Sequence, residues 1–80
     1  MARKMNVYYA AARDLTDGTL CSCKIVASCY DVAEEKARKW FNKRLRYYEF
    51  EINKQEMDED VNLKAGIYSA PYGYAYRVFC

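Results

Sequence analysis

Residues 21–52 read CSCKIVASCYDVAEEKARKWFNKRLRYYEFEI, and this stretch decides the fold. Along Leu20–Ala27 and again along Tyr48–Ile52, apolar side chains recur at every second position. Alternation with a period of two is typical of half-buried β-strands. The residues between these two segments lack that alternation and instead have the spacing of a helix. The stretch therefore predicts a strand, a helix and a second strand that follow one another closely.

The helix has a predicted start and a predicted buried side. The Ser28 hydroxyl can accept the backbone N–H of residue 31, and the Asp31 carboxylate can accept the N–H of residue 28, which is the pattern of a capping box. We expect the helix to run from about Cys29 to Leu45. The apolar residues that recur at helical spacing form its core-facing stripe: Ala33, Ala37, Trp40, Phe41 and Leu45.

The rest of the chain predicts three more strands by similar patterns: Met5–Ala12, Leu63–Ser69 and Tyr74–Cys80. Asp17-Gly18 is a strong hairpin signal, because Gly adopts a positive φ without steric cost. The acidic connection Lys54–Asn62 contains no Gly or Pro, so it can be a loop or a short helical turn. Ala70–Gly73 predicts a turn, with Pro at its second position.

Together these elements predict an α+β fold and one compact domain, residues 1–80. The expected architecture is an antiparallel sheet of four to five strands with one helix packed on one face, in the order β–β–α–β–β–β. The other face of the sheet would then stay open. Leu, Ile, Val and Phe form just under a fifth of the chain, so a second copy could supply burial. The free edge of Tyr74–Cys80 could pair with that copy, or Arg77 could block it; a monomer and a weak homodimer both stay open.

Composition also predicts the compartment and excludes several classes of protein. No apolar run approaches the roughly 18 residues of a membrane span, and the basic start lacks the apolar region of a signal peptide. We therefore expect a cytoplasmic protein without a membrane partner, with free thiols. The four cysteines lack the paired spacing of structural zinc sites, so no metal is expected.

Catalytic chemistry is not indicated. The chain has no His, and Cys29 is the one thiol that a helix N-terminus could activate. A small buried residue at the join of strand and helix is the simpler interpretation of Cys29. We expect no enzyme, no catalytic residue and no cofactor.

Charge is separated along the sequence. Residues 1–46 carry a net charge of +5 and residues 47–80 a net charge of −3. These halves could face partners of opposite charge or neutralise each other within the fold. The acidic side chains of the connection are Glu56, Asp58, Glu59 and Asp60. They are either solvated or dock on the basic surface of a nucleic-acid-binding protein.

The helix also carries a predicted basic stripe: Arg38, Lys39, Asn42, Lys43 and Arg46. It is either a solvated helix face or a surface for phosphates. Arg44 falls inside the apolar stripe, so we expect it past the sheet edge or paired with a carboxylate such as Glu49.

Tyrosine is the least ordinary component, with nine residues in the chain. Tyr72, Tyr74 and Tyr76 recur with a period of two, so one strand face could present three phenols. Tyr combines a large contact area with few rotamers to freeze, which favours it at binding surfaces. These three residues and Arg77 are the predicted contacts for a protein partner, with the acidic connection adding charge complementarity.

The segments Val26–Ser28 and Ala33–Arg38, with Asp31 between them, resemble a pattern found in very small proteins of phages and mobile elements. In those proteins a hairpin leads into a Ser-capped helix rich in Ala, Glu and Lys, and then into another strand; some anti-CRISPR inhibitors have this architecture. The resemblance covers about residues 20–52. It implies a phage accessory protein and assigns no role to any residue.

Two hypotheses follow. The first is a non-enzymatic protein-binding module, a phage-encoded inhibitor of a bacterial CRISPR-type defence or nucleic-acid-processing complex in the host cytoplasm. The alternative is a small nucleic-acid-binding protein that uses the basic helix face and tyrosines that stack on bases.

Overall fold

The computed structural model describes residues 5–55 and 64–79. Its elements follow in the order β1 (Asn6–Asp14), β2 (Leu20–Ala27), α1 (Tyr30–Asn42), β3 (Tyr48–Gln55), β4 (Gly66–Tyr68) and α2 (Tyr74–Phe79). The strands form one antiparallel sheet in the order β3-β1-β2-β4. The predicted α+β class, with a helix packed on an antiparallel sheet, is confirmed. Among the described residues no helix has the length and apolar character that crossing a membrane requires.

The hairpin between β1 and β2 forms where Asp17-Gly18 predicts it. Gly18 has a φ of +80° and donates its backbone N–H to the Asp14 carbonyl at 2.8 Å. The Asp17 side chain accepts the N–H of Thr19 at 2.9 Å. β2 has the predicted bounds, whereas β1 continues to Asp14, two residues beyond the predicted end. The hairpin sets the register of the two central strands, which pair from Asn6↔Ala27 to Arg13↔Leu20.

Helix α1 is shorter than predicted and begins differently. Its N-cap is Cys29, with extended backbone and no side-chain hydrogen bond, so the predicted capping box is wrong. The helix ends at Asn42 because the amides of both Arg44 and Leu45 turn back to the Phe41 carbonyl, at 2.9 and 2.7 Å. This double use of one carbonyl closes the last turn.

The core lies between α1 and the first face of the sheet, the face of Tyr8, Ala10, Ala12, Cys23 and Ile25. Ala33, Ala37 and Phe41 of α1 are fully buried there, and Leu45 is nearly so. Trp40 is partly buried against the same cluster. The predicted apolar stripe is therefore confirmed. Small Ala side chains let the helix approach the sheet closely, and the aromatic rings fill the remaining space.

The predicted final strand is wrong: Tyr74–Phe79 is a helix, α2, which lies against β1 and β2. The Tyr74 ring packs on Tyr9 at 5.4 Å, which places α2 on the second face of the sheet. The predicted open face is thus partly covered. Val7, Ala11 and Val26 of this face are buried. Both faces of β1 are apolar, so covering each of them with a layer of structure stabilises the fold.

Three further expectations change with this arrangement. β4 comprises Gly66–Tyr68 rather than the whole of Leu63–Ser69. Tyr74–Cys80 cannot offer a strand edge to a second copy, because its described part is helical; the outer strands are β3 and β4. The Lys54–Asn62 connection begins inside β3, and its part from residue 56 lies outside the described residues.

Candidate functional site

One flank of α1 turns toward the edge strand β4 and forms a groove with it. The groove, hereafter the cationic groove, is lined by Lys36, Lys39, Trp40, Lys43, Arg44 and Ile67. Residues three, four and seven positions apart share one side of a helix. That spacing places the three lysines beside Trp40, and the position of β4 in the sheet brings Ile67 to the same side.

The groove has a single sign of charge. Of the six described side chains that line it, four are cationic and none is a carboxylate. The ion pairs between described residues lie elsewhere, joining Arg13 to Glu49 and Arg38 to Glu34. The groove lysines therefore carry positive charge that no described carboxylate neutralises. Lys39 and Lys43 are exposed and Lys36 is half-buried, so this charge faces solvent.

Arg44 lies over the Trp40 ring and lines the groove. The guanidinium carbon is 3.8 Å from the centre of the Trp40 ring, and Nη1 donates to the Trp40 backbone carbonyl at 3.1 Å. The Trp40 ring in turn meets Phe41 edge to face at 5.3 Å. The expected alternative contact with Glu49 does not form, since Glu49 pairs with Arg13. The stack and the hydrogen bond fix the Arg44 plane before any ligand arrives.

A second groove adjoins the first across Trp40, Arg44 and Ile67. It continues past the end of β4 along Tyr68, Ser69 and Ala70 and reaches Ser22. The Lys24 ammonium lies 5.9 Å from the centre of the Tyr68 ring. The Arg44–Trp40 pair therefore lies between the lysine-lined groove and a second groove whose described lining has no lysine and offers hydroxyl groups.

The predicted basic stripe is divided between two sides of the molecule. Lys39 and Lys43 line the cationic groove. Arg38 bonds to Glu34 at 3.0 Å on the side of β3, and Asn42 accepts the Tyr48 hydroxyl there at 2.7 Å. The stripe is therefore not one surface.

Arg46, the remaining member of that stripe, lies in the loop after α1 with an exposed side chain. The predicted stripe did not include Lys36, Trp40 and Arg44, which also line the cationic groove. The lysine spacing at positions 36, 39 and 43 was the available signal, but the place of Ile67 depends on strand order. Sequence periodicity within one helix does not contain that information.

The predicted strand face with three tyrosine side chains does not form, because Tyr74–Phe79 is a helix. Successive helix residues rotate by about 100°, so Tyr74 and Tyr76 point to different sides of α2. Tyr74 turns to the sheet, where its hydroxyl accepts the Asn53 amide at 3.1 Å. Tyr72 is fully exposed and Tyr76 is 65% exposed. Tyr72, Tyr76 and the exposed Arg77 form what we call the tyrosine surface.

A groove between α2 and the hairpin borders this surface: its lining includes Gly18, Thr19, Leu20, Ala75 and Tyr76. The acidic residues predicted to accompany the tyrosines, Glu56, Asp58, Glu59 and Asp60, lie outside the described residues. The described part of the tyrosine surface comprises two exposed rings and one guanidinium.

Three of the four cysteines are described, and all three are free thiols. Cys29 is exposed, so its predicted burial is wrong. Burial raises the pKa of the Cys23 thiol to about 12 and also raises the pKa of Cys21. Both thiols therefore stay protonated near neutral pH, which makes them poor nucleophiles. Within residues 5–55 and 64–79, no three His, Cys, Asp or Glu side chains are grouped as a metal site would need.

No family model matches the sequence, and neither a curated protein nor a solved structure is significantly similar to it.

Proposed function

We propose that the protein is a non-enzymatic binding module and that its cationic groove binds the phosphate backbone of a nucleic acid. The observation that carries this proposal is the lining of the groove, which among the described residues has four cations and no carboxylate. A flexible polyanion can place successive phosphates against successive lysines and release its condensed counterions. This function is the alternative hypothesis from the sequence, but the set of residues overlaps the predicted one only in part.

The placement of the cations favours this function over a merely solvated helix face. Arg13 and Arg38 are each paired with a carboxylate on the β3 side. Lys36, Lys39 and Lys43 form no ion pair with a described carboxylate and lie together beside an aromatic ring. With a net charge of only +2, the attraction is local rather than a property of the whole surface. Binding should therefore be sensitive both to salt and to a few substitutions.

The test compares two variants that remove equal charge from neighbouring parts of the chain. Lys39→Gln/Lys43→Gln removes two cations from the groove, whereas Arg38→Gln/Arg46→Gln removes two cations from outside it. Affinity for a labelled 15-nucleotide single-stranded DNA is measured by fluorescence anisotropy at about 50 mM salt. Each lost phosphate contact costs several-fold at this salt, so the lysine variant should bind about tenfold or more weakly.

The arginine variant serves as the matched control and should lose much less affinity. Far-ultraviolet circular dichroism of both variants verifies that the fold is retained. Equal losses in the two variants would show a diffuse charge effect and refute the groove as the site. Absence of wild-type binding at 100 μM protein would refute nucleic-acid binding altogether.

A second candidate function is supported by the exposure of Tyr72 and Tyr76. Exposed aromatic rings beside a shallow groove are typical contacts for a protein partner. In this case the protein would be the inhibitor favoured from the sequence, phage-encoded and acting on a bacterial defence or nucleic-acid-processing complex in the host cytoplasm. The charge of the groove favours an anionic ligand, whereas the exposed tyrosines favour no particular ligand class, so this candidate ranks second.

Its test is the capture of a partner from nuclease-treated bacterial lysate. The wild-type protein is compared with the double variant Tyr72→Ala/Tyr76→Ala and with the single variant Tyr47→Ala. Tyr47 is 70% exposed and lies outside the tyrosine surface, so it is the matched aromatic control. A stoichiometric partner lost only in the double variant supports protein binding through α2. A partner retained by the double variant contradicts that role for the surface.

A further inference from the structure

The proposed groove contains a feature that phosphate binding alone does not use, the planar Arg44 guanidinium held on Trp40. We infer that Arg44 is a stacking platform for an unpaired nucleobase, so that the groove takes single-stranded rather than double-stranded nucleic acid. This inference rests on the proposed function and names the class of nucleic acid.

The geometry provides the platform. On one side, the Arg44 guanidinium carbon lies 3.8 Å from the Trp40 ring centre, within stacking distance. Arg44 itself is exposed and lines both neighbouring grooves, so its other side is reachable from solvent. Guanidinium planes and aromatic rings are the surfaces on which proteins stack unpaired bases. Because the hydrogen bond to the Trp40 carbonyl already fixes the plane, a base would stack on it at little entropic cost.

The neighbours of Arg44 suit a base with its phosphates attached. Ile67, also on the groove wall, offers an apolar contact, and Lys39 and Lys43 stand on the helix side, where they can receive phosphates. In a duplex the bases are stacked and paired inside the helix, so no base can reach the Arg44 plane. A duplex would then gain only the lysine contacts, whereas a single strand would gain these and the stack.

The experiment uses Trp40, the single tryptophan of the chain, as a built-in reporter. Intrinsic fluorescence is followed during titration with a 15-nucleotide oligothymidine, with a 15-base-pair duplex, and with heparin, a polyanion without bases. We expect the oligothymidine to quench Trp40 and to bind about tenfold more tightly than the duplex, the gain of one stacked base. Heparin should bind without comparable quenching.

Arg44→Lys keeps the charge and removes the plane, and Arg46→Lys is the same change at an exposed position outside the groove. The ratio of oligothymidine to heparin affinity should fall about tenfold in Arg44→Lys and stay the same in Arg46→Lys. Equal affinity for duplex and single strand, or an unchanged ratio in Arg44→Lys, overturns the platform while leaving phosphate binding standing. Failure of all three polyanions to bind overturns the proposed function itself, and the platform with it.

Discussion

The Asp14 carboxylate accepts the backbone N–H of Arg46 at 3.2 Å, across 32 positions of the chain. The same carboxylate accepts the N–H of Thr16 at 2.7 Å. Asp14 is the buried charged residue of the described core. Its bond to Arg46 joins the end of β1 to the loop between α1 and β3. A second bond, from the Leu15 N–H to the Tyr47 carbonyl at 2.6 Å, joins the same two segments. This junction fixes where α1 ends relative to the sheet.

Loss of the Asp14 carboxylate should destabilise the fold and weaken its response to acid. The Thr16 N–H lowers the pKa of Asp14 below its ordinary value of 3.8, with help from Arg46 and against the effect of burial. A lowered folded-state pKa gives stability that is present above the unfolded-state pKa and lost as pH falls through the folded-state value. Asp14→Ala should therefore lower the thermal midpoint at pH 6 and flatten its decline below pH 4. An unchanged acid profile would contradict this assignment.

Phe41→Ala should produce the largest loss of stability of any single truncation in α1. Phe41 is fully buried, with Tyr48 and Phe50 rings 5.7 and 5.9 Å away. Removing a buried aromatic ring typically costs about 3–5 kcal/mol. Urea unfolding measures this loss. Val32→Ala, at an exposed apolar position of the same helix, is the control and should cost under about 1 kcal/mol; comparable losses would contradict the described orientation of α1.

Tyr74→Ala should release α2 from the sheet while the rest of the fold persists. Tyr74 packs on Tyr9 and bonds to Asn53, so it is the main anchor of a six-residue helix. Hydrogen exchange of the 74–79 amides should accelerate at least tenfold, since a helix this short is unstable without packing. Tyr76→Ala removes an exposed ring from the same helix and should leave those rates unchanged. Equal effects would show that the two rings are not on different sides of α2.

Thiol labelling should separate the cysteines by burial. In a Cys80→Ser variant at pH 8, an alkylating reagent should reach the exposed Cys29 within the native state. Cys23 should react only through unfolding, because it is buried and, with a pKa of about 12, has roughly 1 thiolate in 10,000 molecules at that pH. Mass spectrometry with and without urea follows both sites. Native-state labelling of Cys23 at the Cys29 rate would contradict its burial.

The central part of the fold is predictable from sequence because its signals are local. The alternation along Leu20–Ala27, the Asp17-Gly18 turn and the apolar stripe of α1 each depend on neighbours in the chain. The terminal helix is not predictable in this way. Tyr74, Tyr76 and Val78 also alternate, so the segment carries a strand pattern, and α2 forms because it covers the second face of the sheet.

The sequence of β1 does indicate that the second face of the sheet is covered. Its residues are apolar on both faces, with Val7 and Ala11 on one and Ala10 and Ala12 on the other. A central strand of this kind requires a layer on each side.

The cationic groove was predicted only in part, because its lining depends on the order of the strands as well as on the helix. Lys39 and Lys43 were identified from the helix alone, whereas Ile67 joins them through the strand order.

The most direct test of the account is a map of the nucleic-acid contact. A ¹⁵N-labelled protein is titrated with the 15-nucleotide oligothymidine, and amide shifts are followed residue by residue. If the oligonucleotide binds in the cationic groove, the largest shifts fall on residues 36–44 and 67–70, together with the Trp40 indole N–H. Shifts centred on Tyr72, Tyr76 and Arg77, or no shifts at millimolar oligonucleotide, would contradict it.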